Sequence, residues 1–76
     1  MPTNPSNYPL LLKDIREQLG ISQEDLARKL GVSFGTVNRW ENGKVKPSKL
    51  AVRQLKMFIE HQVSVGNMKQ KALLSI

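Results

Sequence analysis

Residues 23–42 read QEDLARKLGVSFGTVNRWEN, and this stretch decides how the rest of the chain is interpreted. It predicts two short helices, one from Gln23 to about Leu30 and one that begins after Ser33. Between them, Gly31 can adopt a left-handed backbone at little steric cost. Apolar residues recur three or four positions apart within each helix, so each helix should bury one stripe. The apolar positions are Leu26, Ala27, Leu30, Val32, Val37 and Trp40.

The second predicted helix keeps one face clear of its apolar stripe. Phe34 and Asn38 are four residues apart, as are Gly35 and Arg39, so these positions should share an outward face. Trp40 falls on the stripe and is expected in the core rather than stacked on a base. A short helix that is braced from behind and bare in front fits the major groove of DNA.

This pattern resembles the helix-turn-helix of the phage repressor and Cro-type (Xre-like) family. The resemblance is carried by Gln23, Ala27 and Gly31, by the two apolar stripes and by the closing sequence at 41–44, ENGK. It extends over residues 10–62 and implies an all-α fold, a compact bundle of four to five short helices like that of the lambda repressor. A three-helix domain with no role on DNA can share the same core stripe.

Basic charge is concentrated on and just after the second helix of the motif. The net charge is +6. Residues 1–30 contain four basic and four acidic residues, whereas residues 39–56 contain six basic residues and a single acid, Glu41. This one-sided excess favours a polyanionic partner on that side. The alternative is that the charge only serves solubility.

Composition argues against several other classes of protein. Seventy-six residues allow one small domain, and the absence of cysteine excludes disulfides and thiolate metal sites. No apolar run approaches the ~20 residues that span a bilayer. His61 is the only histidine, and no Gly-rich phosphate loop is present. We therefore expect no enzyme activity, metal, cofactor, small-molecule ligand or membrane contact, and a cytoplasmic location on a prokaryotic or phage nucleoid.

The flanking segments divide the chain into three predicted parts. Residues 1–7 should form a disordered arm without a Lys or Arg that would draw it into a groove. Residues 8–62 should form the DNA-binding domain. Residues 63–76 should form a tail or a short helix capped by Asn67 and running through Leu74. Its apolar residues could fold back on the core, form a dimer contact or be the stub of a longer natural chain.

Two further helices are expected to complete the domain. The first should begin near Pro9 and end at Leu19, with Gly20 after it. The last should begin after an N-cap at Ser48 and fade near Gln62. In the loop before it, Val45 should turn inward between two lysines. The predicted inner positions of these helices are Leu11, Leu12, Ile15, Leu19, Ala51, Val52, Leu55, Phe58 and Ile59.

Base reading on double-stranded DNA is expected from the outward face of the recognition helix, about residues 33–42. The candidates are Phe34, Gly35, Thr36, Asn38 and Arg39. Arg39 can offer two donors to guanine, and Asn38 can pair with adenine. Arg39 could instead contact phosphate or solvent, and Phe34 could contact a thymine methyl group or pack on a helix or a partner. Gly35 has no side chain with which to read a base, which departs from the family pattern.

Backbone contacts on DNA are expected from residues around that face. The candidates are Gln23, Ser33, Asn42, Lys44, Lys46 and Lys49. In the family, the position of Gln23 grips a phosphate and braces the recognition helix. The resemblance also implies an ion pair between Arg16 and Glu41 that locks the first helix to the recognition helix. The alternative is two separate solvated charges.

The expected function is a sequence-specific transcriptional regulator, and the resemblance alone implies that it is a repressor. One such helix reads only a few base pairs, so a homodimer on DNA is expected. The alternative functions are a protein-binding module of the antitoxin or adaptor type, and the DNA-binding part of a larger protein.

Overall fold

A computed structural model describes residues 7–69 of the chain, and these residues form four α-helices and no strand. The helices are α1 Tyr8–Leu19, α2 Gln23–Leu30, α3 Phe34–Glu41 and α4 Lys49–Ser64. The predicted all-α fold is confirmed. The predicted arm at residues 1–6 and the end of the predicted tail, residues 70–76, lie outside the described residues.

Local hydrogen bonds fix the start and end of α2. The Ser22 hydroxyl accepts from the backbone N–H of Asp25 at 3.0 Å, and the Asp25 carboxylate accepts from the N–H of Ser22 at 3.5 Å. This reciprocal pair caps the helix with Asp in place of the more common Glu. Gly31 follows the helix with φ +76°, the left-handed conformation that glycine adopts readily.

Serine side chains also begin α3 and α4. The hydroxyl of Ser33 accepts from the N–H of Thr36, and that of Ser48 accepts from the N–H of Ala51, both at 3.1 Å. Each bond satisfies one backbone donor that the first turn leaves unpaired. The predicted helix bounds are therefore confirmed to within two residues, since α4 ends at Ser64.

The buried core combines the predicted stripes of all four helices. Leu12, Ile15, Leu26, Val37, Leu55 and Ile59 are fully buried. Burying one such side chain contributes roughly 1.5–3 kcal/mol relative to leaving it exposed. Trp40 is 6% exposed and lies in the core as predicted. Leu19 and Val52 are only partly buried, at the edge of the core.

Four positions around the core differ from the prediction. Tyr8 and Met68 belong to it although neither was predicted. Both lie at the ends of the helical pattern, where periodicity gives no signal. Val45 was expected to turn inward but is 49% exposed, and Pro47 is buried instead. Pro47 is thus the residue of this loop that is shielded from solvent, and Val45 is left at the surface.

Two of the other helices hold α3 in place. α3 packs against both α1 and α2, and α4 packs against α2. The segment after α4 returns to α1, where the backbone N–H of Lys69 donates to the Gln18 side-chain oxygen at 3.0 Å. Asn67 closes the end of α4 through its backbone bond to the carbonyl of Gln62. No helix within residues 7–69 has the length and apolar character needed to cross a membrane.

Candidate nucleic-acid interface

α3 has a buried back and an open front. Val37, Trp40 and Glu41 are at most 6% exposed and form the back. We call Phe34, Gly35, Asn38 and Arg39 the front face. Phe34 is 50% exposed, Arg39 is exposed, and Gly35 and Asn38 are half-buried. Four of the five residues predicted for base reading therefore lie on one accessible side, and the fifth, Thr36, lies beside it with its hydroxyl bonded to Ser33.

A two-point ion pair joins α1 to the end of α3. The Nε of Arg16 lies 2.6 Å from one carboxylate oxygen of Glu41, and its Nη2 donates to the other at 2.9 Å. The Glu41 side chain is 1% exposed, whereas the Arg16 side chain is 27% exposed. The structure thus contains the two residues as a pair and not as separate solvated charges.

Glu41 keeps its negative charge although it is buried. Desolvation is the largest single effect on its pKa and acts to raise it. Hydrogen bonds from Arg16 and Gln23, with the attraction of the Arg16 charge, together outweigh that effect and hold the pKa below its ordinary value. The back of α3 therefore carries a carboxylate, a group that can only accept hydrogen bonds.

A line of side-chain amides runs from that carboxylate to the front face. Gln23 Nε2 donates to Glu41 Oε1 at 3.0 Å, and Asn38 Nδ2 donates to Gln23 Oε1 at 3.1 Å. Asn42 Nδ2 then donates to Asn38 Oδ1 at 3.0 Å. We call Glu41, Gln23, Asn38 and Asn42 the amide line.

The amide line was not predicted from the sequence. Gln23 and Asn38 are on different helices, so no spacing links them, and only the crossing of α2 and α3 brings them together. Asn38 and Asn42 are four residues apart along α3, a spacing at which amide side chains commonly bond. That single contact was available from the sequence.

Asn38 retains atoms that could contact a base. A primary amide has two N–H donors and an oxygen with two lone pairs. One donor is used on Gln23 and one lone pair on Asn42, so one of each remains. The pairing with adenine N6 and N7 requires one donor and one acceptor.

Gly35 leaves room for Arg39. A Cβ atom at position 35 would lie 3.3 Å from Nη1 of Arg39, so the guanidinium lies over the glycine. Its neighbour Thr36 is half-buried, and its hydroxyl bonds to that of Ser33 at 2.8 Å. Gly35 therefore contributes space to the front face, and Ser33 and Thr36 contribute a cap at its edge.

Four of the six predicted phosphate contacts follow α3 along the chain, whereas Ser33 caps the start of α3 and Gln23 is half-buried at the start of α2. Asn42, Lys44, Lys46 and Lys49 are all exposed. Gly43 has φ +72°, and the following N–H, that of Lys44, bonds to the carbonyl of Arg39 at 3.0 Å. This turn fixes the start of the lysine loop directly beside the front face.

The basic side chains around the front face are not neutralised within the described part of the chain. The ion pairs among residues 7–69 are Arg16–Glu41 and Arg28–Asp25. Arg39 and the three lysines take part in neither. Those same residues contain no group of three acidic or histidine side chains placed to hold a metal ion. The arrangement is suited to binding an anionic surface.

The chain matches a known protein family. The family described as "Helix-turn-helix" matches residues 12–55, more than half of the chain. The match includes α2, α3 and the turn between them, together with most of α1 and the first half of α4.

Two relatives with curated names are similar to part of the chain. The chain is 35% identical over 47 residues to the uncharacterized HTH-type transcriptional regulator YiaG of Escherichia coli K12, covering 62% of this chain and 49% of that protein. It is 50% identical over 48 residues to the uncharacterized HTH-type transcriptional regulator MJ0272 of Methanocaldococcus jannaschii, covering 62% of this chain and 73% of that protein. The chain thus spans about half the length of its bacterial relative. No solved structure shows significant similarity to it.

Proposed function

The chain belongs to the helix-turn-helix family, and from that premise we propose that it is a sequence-specific transcriptional regulator that binds double-stranded DNA. Residues 8–62 form the DNA-binding domain, and α3 enters the major groove. The names of both relatives, which describe transcriptional regulators, support the proposal. We also propose that the protein acts as a repressor and is located in the cytoplasm.

The observation that carries this proposal is the contrast between the two sides of α3. The back is held by the core and by a paired carboxylate, whereas Phe34 and Arg39 on the front are open to solvent. Arg39 reads guanine and Asn38 reads adenine, while Phe34 contacts a thymine methyl group. A rigid helix with donors and an acceptor on its open side matches the groove that displays a distinct pattern for each base pair.

Phosphate contacts supply the sequence-independent part of the affinity. Lys44, Lys46 and Lys49 contact phosphates, with Asn42, Ser33 and Gln23 at the edges of the front face. Each basic residue that neutralises a phosphate releases counterions, so binding should weaken as salt rises.

Two substitutions separate base reading from phosphate binding. We expect Arg39→Ala to reduce the preference for one base pair by the equivalent of ~1–3 kcal/mol. We expect Lys44→Ala to weaken binding to every duplex alike and to lower the slope of log K against log salt by about 1. Selection from a random duplex pool, followed by fluorescence anisotropy at several salt concentrations, measures both quantities. Equal effects of the two substitutions on every sequence would contradict this division of roles.

A homodimer would provide the specificity that one short helix lacks. Leu50 and Met57 are 66% and 67% exposed and lie seven residues apart on α4, so they share a face. We propose this face of α4 as the dimer contact, with symmetric half-sites about 34 Å apart on the duplex. Analytical ultracentrifugation with and without a palindromic duplex tests it, and one chain per palindrome would overturn it.

A protein-binding module of the antitoxin or adaptor type is the second candidate. The half-exposed Phe34 favours it, because an apolar ring on an accessible face can serve as a partner contact. Salt-sensitive binding to duplex DNA would exclude this candidate. The proposal also accommodates a domain within a larger regulator, because the chain spans about half of its bacterial relative.

A further inference from the structure

The amide line connects a buried charge to a side chain on the open face of α3. Glu41 is 2% exposed, and Asn38 is half-buried beside Arg39. The three bonds between Glu41, Gln23, Asn38 and Asn42 are 3.0–3.1 Å long, which is ordinary hydrogen-bond geometry.

The charge at one end fixes the direction of every amide along the line. The Glu41 carboxylate can only accept, so the atom of Gln23 that faces it must be the nitrogen. The oxygen of Gln23 therefore faces Asn38, which must present its own nitrogen there. The oxygen of Asn38 is then left towards Asn42, which donates to it. No second orientation of these groups keeps all three bonds.

We propose that Glu41 and Gln23 are positioning residues that set the base preference of Asn38, although neither needs to touch that base. This inference rests on the proposed function, because it requires Asn38 to contact a base. With the amide held in one direction, Asn38 offers its remaining donor on the Gln23 side and its remaining acceptor on the Asn42 side. A base that requires the opposite order would have to break the line.

Release of the amide line should reduce base preference in a specific way. A free amide can turn over and accept either order of donor and acceptor. Releasing the line should therefore narrow the ratio of dissociation constants at the position that Asn38 reads, because binding to the bases that the fixed amide rejects improves relative to binding to the preferred base. Loss of a contact that is only structural would instead weaken binding to all duplexes by the same factor. Gln23 is also a proposed phosphate contact, so Gln23→Met should in addition weaken binding to every duplex by a common factor, which cancels in that ratio.

Gln23→Met releases the line while it leaves the Arg16–Glu41 pair in place. Gln54→Met is the matched control, because Gln54 is an exposed glutamine of α4 outside the line. Glu41→Gln is the second variant, since a carboxamide at 41 can donate or accept and no longer imposes a direction. Asn38→Ala is the reference that removes the base contact itself.

The measurement is the ratio of dissociation constants for duplexes that differ by one base pair, taken across the selected site. We expect Asn38→Ala to reduce the ratio at one position by about 5- to 140-fold, the range of a good bidentate contact. We expect Gln23→Met and Glu41→Gln to narrow the ratio at that same position by about 2- to 10-fold, the range of one neutral hydrogen bond. Gln54→Met should change no ratio.

The outcomes separate the positioning role from the proposed function. Suppose that Asn38→Ala narrows the ratio of dissociation constants at one position and that Gln23→Met and Glu41→Gln leave every ratio unchanged. The positioning role is then overturned and the proposed function stands. Equal narrowing of the ratios at all positions in Gln23→Met and Glu41→Gln also overturns the positioning role. If the wild-type chain binds no duplex, or if Asn38→Ala changes no ratio, the base-reading role fails and the positioning role fails with it.

Discussion

The back and the front of α3 belong to one helix of eight residues, but their side chains differ in chemistry. On the back, Val37 is 0% and Trp40 6% exposed, and the carboxylate of Glu41 is paired with Arg16 and accepts a hydrogen bond from Gln23. On the front, Phe34 is 50% exposed and Arg39 has no acidic partner among the described residues.

This difference shows why such a short helix can present a defined surface. An isolated helix of eight residues is unstable in water, because its nucleation cost exceeds what so few bonds return. The back therefore supplies the stability of α3, through burial and through the ion pair to α1. The front can then remain exposed to solvent without loss of the helix.

Among the substitutions considered, removal of the cation that pairs with Glu41 should destabilise the buried back of α3 the most. Arg16→Met should lower the free energy of unfolding by ~3–5 kcal/mol, because it leaves a buried carboxylate without its counter-charge. Arg28→Met is the control, since the Arg28–Asp25 pair has side chains 74% and 47% exposed. The loss of that exposed pair should cost at most about 1 kcal/mol. Urea unfolding followed by Trp40 fluorescence measures both, and equal losses would contradict the role given to burial.

Acid should lower the stability of the fold by protonating the same carboxylate on the back of α3. Burial acts to raise the pKa of Glu41, but the bonds from Arg16 and Gln23 lower it below its ordinary value of 4.5. The stability that ionised Glu41 contributes is therefore fully present above about pH 4.5 and is lost as the pH falls through the lower folded-state pKa.

Glu41→Gln isolates that contribution. The stability difference between the wild type and this variant should be constant near neutral pH and should shrink in the acid range. The pKa of Asp25 is lowered by the hydrogen bond from Arg28, but Asp25 titrates in both proteins and cancels in the difference. Thermal unfolding of both proteins over the range from neutral to acid pH provides the measurement, and a difference that grows in acid would refute the assignment.

The smallest expected effects come from replacing two glycines, one in a left-handed turn and one inside a helix. Gly31 lies in the turn with φ +76°, and a Cβ atom there would meet no other atom within 4 Å, so Gly31→Ala should cost ~1–2 kcal/mol through the backbone alone. Gly35 lies inside α3, where alanine favours the helix by up to about 1 kcal/mol. The flexible end of Arg39, 3.3 Å away, must move and will offset part of that gain.

Differential scanning calorimetry of the two alanine variants sharpens the comparison. The melting temperature should fall for Gly31→Ala and should rise slightly for Gly35→Ala. A loss for Gly35→Ala as large as that for Gly31→Ala would mean that the front face is as tightly constrained as the turn.

Much of the fold could be predicted because its signals are local. Ser48 caps a helix as predicted, Ser22 and Ser33 cap helices at the points where these were predicted to begin, and Gly31 adopts the left-handed turn. The core positions of α2 and α3 follow from a spacing of three or four residues. Tyr8 and Met68 escaped prediction because they lie outside any periodic pattern, and their burial depends on how the ends of the domain close.

The front face was predictable as a set of positions but not as a set of contacts. Spacing alone placed Phe34, Asn38 and Arg39 together. It could not show that Asn38 is bonded on both sides or that the Arg39 guanidinium lies over Gly35. The roles of these residues on DNA remain predictions that the binding experiments address.

The amino-acid sequence by itself determined which segments are helical, where they begin and end, and which side of each is apolar. These properties depend on neighbours within about four residues, whose relative positions are set by the helix geometry. Only the tertiary structure decided that a buried charge, Gln23 and Asn38 form one bonded line. Hydrogen bonds form only within about 3 Å, and residues 15 or 18 positions apart reach that distance only when two helices cross at a particular point.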